Sequence, residues 1–354
     1  MQTQIVYIGV DVHPPVAEMA AKIIDSLRGS NESLVISIQS KKEMTGNVSQ
    51  RTVVIERRQW VLSRLIQLFR LTTTLWSGTF TKATVWHFVG NGNKTLLIAL
   101  ALLATARQKR LVISPLGNCW LPTTFQGVYC VLPHRQMENQ SLSAAGRSSV
   151  IMPASSLSLA SERSSHTAQV KILFASVPPH REELAARGLD LVLESASILA
   201  KERKDCTFII INRHAHLAAD LEAYVKKFGA KNVRIENGYI ENIANYLKSV
   251  SIVLIGSADG ELPQVPLSVV EGLSQGVPCV IPKGLAVAEE ILAYGAGETF
   301  LDPISLTQGI NLILGNYEQY CKASLELSLK KFSHLEMIAK YSGIYEKFLG
   351  VDTR

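Results

Sequence analysis

The residues best spaced for chemistry lie in Val253–Ile291, VLIGSADGELPQVPLSVVEGLSQGVPCVIPKGLAVAEEI. A buried-type strand there opens into a polar loop. Pro266 suits the first helical turn, where its missing N–H is not needed. Gly276 supplies a good residue just past the helix end, and Pro278 prevents continuation. The helix so bounded turns free backbone N–H groups and the positive end of its dipole toward the loop, which suits a pyrophosphate. Glu271, about one turn inside, is able to accept hydrogen bonds from vicinal hydroxyls such as those of a ribose. The same spacing also serves an ordinary strand–helix–strand unit with a solvated glutamate, so it leaves both readings open.

Other groups carry weaker signals. His87 ends a strand pattern, where it would touch an acceptor or a donor sugar, or simply be a hydrogen-bonded strand-end histidine. Arg213 follows one strand pattern and Tyr239 the next, both at carboxyl ends. GNGNKT at Gly90–Thr95 lacks the spacing of a phosphate loop and reads as a tight turn. RRQWVLSRLIQLFRLTTTLW is a basic amphipathic pattern. Its Arg57, Arg58, Arg64 and Arg70 accompany Trp60 and Phe69 with no acid in between. That combination marks a helix lying on an anionic membrane surface, against the alternative of a helix packed on a sheet with its arginines in water. No recognition motif for nucleic acid accompanies it.

Positioning these residues calls for alternating strands and helices. In the first half, strands are expected at Gln4–Val10, Ser33–Ile38, Thr52–Ile55, Thr84–Val89, Arg110–Ser114, Val128–Leu132 and Val150–Met152. Helices are expected at Pro15–Leu27, Trp60–Leu75, Thr95–Arg107 and Met137–Ala145. Ten serines between Ser141 and Ser165 mark a linker. The pattern then restarts, with strands at Val170–Ala175, Thr207–Asn212, Val233–Ile235, Ile252–Gly256 and Pro278–Pro282. Helices between and after them end with Leu306–Lys330, broken near Gly315, and His334–Phe348. Such alternation implies parallel sheets covered on both faces. The chain therefore reads as α/β, two Rossmann-like domains facing a cleft. The domain limits are 1–153, a linker at 154–168, 169–332, and a closing helix at 333–354.

Composition excludes several classes. The chain has 354 residues, 47% hydrophobic and 19% charged, which rules out disorder and fibres. No apolar run approaches the ~20 residues of a membrane span. The N-terminus, MQTQIVYIGVDVHPP, does not read as a signal peptide. Five dispersed cysteines without C-x-x-C spacing fit a reducing compartment and no structural zinc. The net charge of +6 is unevenly divided. Residues 1–165 hold 17 Lys and Arg against 8 acids, and residues 166–354 hold 19 against 22. The first half is thus the one suited to an anionic surface.

The stretch from Ser257 resembles the donor-binding segment of the retaining GT-B glycosyltransferases (glycosyl transferases group 1, with two glutamates eight residues apart). Ser257, Pro266, Leu267, Glu271, Gly276, Pro278 and Val280 carry the match. KILFASVPPHREELAARGLDLVLESASIL resembles that family's first C-domain unit, with Arg187-Gly188 at the Arg-Gly position before the helix. HLEMIAKYSGIYEKFLG resembles its closing helix. The resemblance implies Glu271 on the ribose, Arg187 and Gly188 at the diphosphate, and backbone amides of Leu267 and Ser268 on phosphates or sugar. Arg213 and Tyr239 would flank the base. It implies Glu261 at the transferred sugar, ten residues before Glu271 and so displaced by two, with His87 as the second catalytic candidate.

It further implies a UDP- or GDP-linked sugar as donor and a glycan or lipid-linked acceptor, with no metal, no cofactor and no nucleic acid. The setting would be cell-surface polysaccharide synthesis by a cytoplasmic protein on the inner face of the membrane. Ala175-Ser176 stands where the family often has Gly-Arg, and Leu116 where it has His or Arg. These departures define the alternative: a non-catalytic GT-B subunit that binds a glycan or a partner glycosyltransferase. A third reading, another nucleotide enzyme with two Rossmann-like domains, lacks the G-x-G-x-x-G fingerprint.

Overall fold

The computed structural model describes residues 5–10, 23, 33–38, 85–90, 94–116, 121–134 except 123, 145–160 except 156, 169–257 except 176 and 179, and 265–349. They fall into two compact units, Met1–Pro153 with His334–Arg354, and Ala154–Ser333. The helices expected over 15–27, 60–75 and 137–145 and the strand over 52–55 fall almost wholly outside the described residues.

In the first unit the strands are β1 (Ile5–Val10), β2 (Ser33–Ile38), β3 (Val85–Val89), β4 (Arg110–Ser114), β5 (Val128–Leu132) and β6 (Ser148–Val150). All pair in parallel, in the order β2-β1-β3-β4-β5-β6. β6 lies two residues earlier than its pattern suggests. It is half-buried and serine-rich, so it is held by backbone pairing rather than by apolar burial.

Strand parity divides the sheet into two faces. Trp86, Phe88, Leu111, Ile113, Val128, Cys130 and Leu132 pack with Leu97, Leu100, Ala101 and Ala104 of α1 (Lys94–Ala106). The opposite parity puts His87, Ser114 and Tyr129 under the last helix, His334–Leu349, here α9.

The second unit orders its six parallel strands β12-β11-β10-β7-β8-β9. These are β7 (Val170–Phe174), β8 (Cys206–Asn212), β9 (Val233–Asn237), β10 (Ile252–Leu254), β11 (Cys279–Pro282) and β12 (Gly297–Phe300). The helices are α2 (Leu189–Glu202), α3 (Ala218–Lys227), α4 (Ile243–Lys248), α5 (Leu267–Ser274), α6 (Ala288–Tyr294), α7 (Pro303–Gly315) and α8 (Tyr317–Lys331). Ile172, Phe174, Phe208, Ile210, Ile252 and Leu254 form one core with Val192, Leu193 and Ala196 of α2 and Leu306, Ile310 and Ile313 of α7. Burying each of the valine, leucine, isoleucine and phenylalanine side chains contributes roughly 1.5–3 kcal/mol.

The chain adds β8 and β9 on one side of β7, then returns to add β10, β11 and β12 on the other. The strand order therefore reverses between β7 and β10. In open α/β sheets the crevice beyond the carboxyl ends at such a reversal is where ligands bind. α7 starts three residues before its apolar pattern because Asp302 caps it in a capping box and Pro303 occupies the first turn.

Candidate functional site

Two helices begin at the strand-order reversal. β7 leads to α2, whose cap residue is Gly188 with φ 77°, and β10 leads to α5. A Cβ on Gly188 would stand 2.1 Å from the carbonyl oxygen of Gly256, and one on Gly256 would stand 2.6 Å from the carbonyl oxygen of Arg187. Both glycines are therefore needed. They let the turn before α2 lie directly on the chain leaving β10, which brings the start of α2 to the crevice.

α5 is the centre of the site. Pro266 stands one position before the helix, as its cap residue, rather than inside the first turn. Gly272 lets the helix lie flush on β10, since a Cβ there would meet the Val253 side chain at 2.8 Å. The helix ends as the sequence suggests: Gly276 has φ 68°, and its N–H and that of Val277 donate to the carbonyls of Leu273 and Gly272. This closes the helix in a Schellman motif. Leu267 and Ser268 lie half-buried in the first turn. Their amides are among the first four of the helix, which have no intrahelical partner. Glu271 is only 5% exposed, so it is not the solvated glutamate of an ordinary unit. Arg187 is 7% exposed. Charged groups are seldom so deeply buried unless they are partnered, and both residues do make interactions.

The next loops along the sheet bring together an arginine, an exposed ring and two histidines. The buried Asn212 donates from Nδ2 to Asn237 Oδ1 at 2.7 Å, accepts from the His214 N–H at 3.0 Å, and its carbonyl accepts from the Gly238 N–H at 2.9 Å. These bonds fix the carboxyl ends of β8 and β9 and display Arg213 and Tyr239. The Arg213 guanidinium lies 5.7 Å from the Tyr239 ring centroid, and that ring is 73% exposed. The rings of His214 and His216 lie 5.9 Å apart. Burial, and then the charges of His216, Arg213 and His180, lower the pKa of His214. Two helix starts, two arginines and three histidines thus line the carboxyl end of this sheet, in the half of the chain that is acidic overall. The arrangement is suited to a planar group on the exposed ring and to an anionic group at the helix starts.

Glu261 lies outside the described residues, as do Arg57, Arg58, Trp60, Arg64, Phe69 and Arg70. His87 follows the second of its two readings, a hydrogen-bonded histidine, but at mid-strand rather than at a strand end. It sits in the middle of β3 in the first unit, fully buried, with Nδ1 2.7 Å from Tyr345 Oη and Nε2 2.7 Å from Ser114 Oγ. Burial lowers its pKa to about 3, so the ring is neutral. Both bonds hold it beneath α9. Leu116 is buried as well, in a small apolar recess with Pro115, Val131 and Ile151. Residues 154–160, placed in the linker for their serines, instead pack on the second unit through Ser155, Ser158 and Ala160. Among the described residues no group of three metal-ligating side chains is found, and no helix is long and apolar enough to cross a membrane.

Sequence reasoning passed over Asn212 as a fixing residue, and over Gly256, Ser274 and Gln275. Only the paired glycines carried a signal, as residues whose lack of Cβ permits close approach.

Residues 171–316 match the sequence model of the family described as Glycosyl transferases group 1. No curated protein matches the chain by sequence. Solved structures do match. Anabaena Alr3699/HepE in complex with UDP-glucose has a TM-score of 0.69 at 14% identity, covering 98% of this chain and 100% of that one. WaaG, a glycosyltransferase involved in lipopolysaccharide biosynthesis, has a TM-score of 0.68 at 10% identity, covering 96% and 99%. A putative UDP-N-acetylglucosamine 2-epimerase from Listeria monocytogenes has a TM-score of 0.68 at 15% identity, covering 100% and 99%. Two parallel-sheet units of the GT-B glycosyltransferase fold therefore make up this protein, and its second unit, across residues 171–316, carries the match to Glycosyl transferases group 1.

Proposed function

We propose that the protein is a retaining glycosyltransferase. It takes a sugar from a UDP- or GDP-linked donor to a glycan or lipid-linked acceptor in cell-surface polysaccharide synthesis. The observation that carries this reading is the buried Glu271 on α5, whose first turn opens at the same strand-order reversal as Arg187-Gly188. Glu271 holds the ribose hydroxyls. Arg187 and the amides of Leu267 and Ser268 hold the diphosphate. Tyr239 and Arg213 flank the base, and Glu261 attends the transferred sugar. The leaving diphosphate gains its stabilisation from fixed dipoles and a guanidinium aimed at the developing charge, so neither metal nor cofactor is called on. The UDP-glucose held by the Anabaena structure supports this choice of donor.

Release of nucleoside diphosphate from UDP-glucose and GDP-mannose, with and without added glycan, tests the reading. Wild type is expected to release it. Glu271→Gln is expected to raise the donor KM about tenfold with a smaller change in kcat, since a hydrogen bond donated by a ribose hydroxyl to a carboxylate is worth about 1.5–3 kcal/mol. Binding of nucleotide without any release would instead favour a non-catalytic GT-B subunit that binds a glycan or a partner enzyme. The burial of His87 and Leu116 in the first unit favours that second reading.

The basic stretch around Arg57, Arg58, Trp60, Arg64, Phe69 and Arg70 is the membrane-facing element in this proposal, placing the protein on the cytoplasmic leaflet. Each arginine contributes about 1 kcal/mol at an anionic surface. Wild type is expected to sediment with phosphatidylglycerol vesicles and to leave them as salt rises. The variant with all four arginines changed to Gln is expected to stay in solution. Equal sedimentation of the two would remove the membrane reading.

A further inference from the structure

The chain enters the second unit at Ala154 and immediately crosses the far end of α5. The Ala160 N–H donates to the Ser274 carbonyl at 3.0 Å. Gln275 Nε2 donates to the Ser158 carbonyl at 2.9 Å. Ser274 Oγ lies 3.3 Å from Ser155 Oγ and donates to the Glu271 carbonyl at 2.7 Å. Ser155 Oγ in turn accepts from the Leu157 N–H at 3.0 Å. Ser155, Ser274 and Gln275 are all buried, Gln275 to 4% exposure.

The four terminal carbonyls of α5 show what this strap does. That of Glu271 is met by Ser274 Oγ, that of Gly272 by the N–H groups of Gln275 and Val277, that of Leu273 by Gly276, and that of Ser274 by Ala160. Helix ends leave such groups without intrahelical partners, and buried ones must be satisfied from elsewhere. Three of the four are met by Ser274 and the turn that follows α5, and the last, that of Ser274, by the entering chain. α5 has eight residues, so it is only about 12 Å long. One end faces the crevice and the other is bolted to the strap, with Glu271 a single turn from the bolts.

We propose that Gln275 is a positioning residue. Through Ser158 it sets how far α5 and Glu271 reach into the nucleotide site, and nucleotide on α5 in turn tightens the strap. This rests on the nucleotide-site reading given above. The coupling is reciprocal by thermodynamic necessity: whatever the strap contributes to nucleotide affinity, nucleotide returns to the strap.

Titration of UDP, GDP and ADP in turn, paired with amide hydrogen exchange over residues 154–160, tests it. In wild type the nucleotide that binds is expected to slow exchange at Ala160 several-fold. Gln275→Met keeps the shape and removes the donor. It is expected to raise the Kd about tenfold, and its Ala160 exchange is expected to no longer respond to nucleotide. A merely structural Gln275 would change exchange without nucleotide and leave the response to nucleotide intact. If Gln275→Met does not fold, Ser274→Ala is measured for the same two effects. A Kd within twofold of wild type overturns the inference and leaves the nucleotide site standing, as does wild-type binding with no change at Ala160. Absence of any nucleotide binding by wild type removes both.

Discussion

Between pH 7.5 and 5, the first unit is expected to lose about 2 kcal/mol of stability through His87 alone. The His87 pKa falls from 6.5 to about 3 because burial removes the imidazolium from water. As pH drops below 6.5 the unfolded chain takes up a proton that the folded ring refuses. The stability is therefore complete above pH 6.5, declines as pH falls, and is about 4 kcal/mol lower by pH 3, at about 1.4 kcal/mol per unit.

The loss has a structural location. His87 joins Tyr345 on one nitrogen and Ser114 on the other, and Tyr341 Oη donates to the same Ser114 Oγ at 3.0 Å. Tyr341 and Tyr345 stand one turn apart on α9, with Phe348 against Tyr129 further along. A second proton on His87 turns an accepting nitrogen into a donor and breaks the neutral chain of bonds that holds the helix down. Denaturant unfolding at a series of pH values, with exchange of the α9 amides as a second reading, checks this. His87→Gln, which does not titrate, is expected to flatten the slope between pH 6.5 and 5. An equal slope in that variant would show that the acid sensitivity arises elsewhere.

Strands were legible where buried apolar residues run without a break. Parallel strands covered on both faces read as β-branched runs, and β4 and β5 fall at their expected bounds. β12, GETF, has no such run, because only its two end residues are buried, and pairing with β11 holds it. Parity in VWHFV could place His87 opposite Trp86 and Phe88. It could not show that two tyrosines lie over it, one of them 258 positions further on. The serines after Ala154 read as linker because polar residues without period usually are. Buried hydrogen bonds leave no periodic trace, so the strap on α5 was invisible. The site followed the same division. Pro266, Glu271 and Gly276 announce a helix, its two ends and the glutamate it carries within a few residues of one another. The approach of Gly188 to Gly256 joins positions far apart in the chain, and only the sheet order brings them together.

Arg187 carries the largest effect expected at the site. Its guanidinium is almost wholly buried at the turn that lies on Gly256. A buried Arg–phosphate pair is bidentate and charge-assisted, and each of its bonds is worth about 1.5–3 kcal/mol. Removing the guanidinium should therefore weaken nucleotide binding on the order of 100-fold or more, with Lys restoring only part of it because a point charge does not reproduce the fork. Calorimetric titration of UDP, GDP and ADP into wild type and Arg187→Ala is the most direct measurement of the central claim. One of the three is expected to bind wild type and to bind Arg187→Ala at least 100-fold more weakly. Failure of all three to bind wild type, or equal binding by a folded Arg187→Ala, would contradict a nucleotide site at the start of α2 and α5.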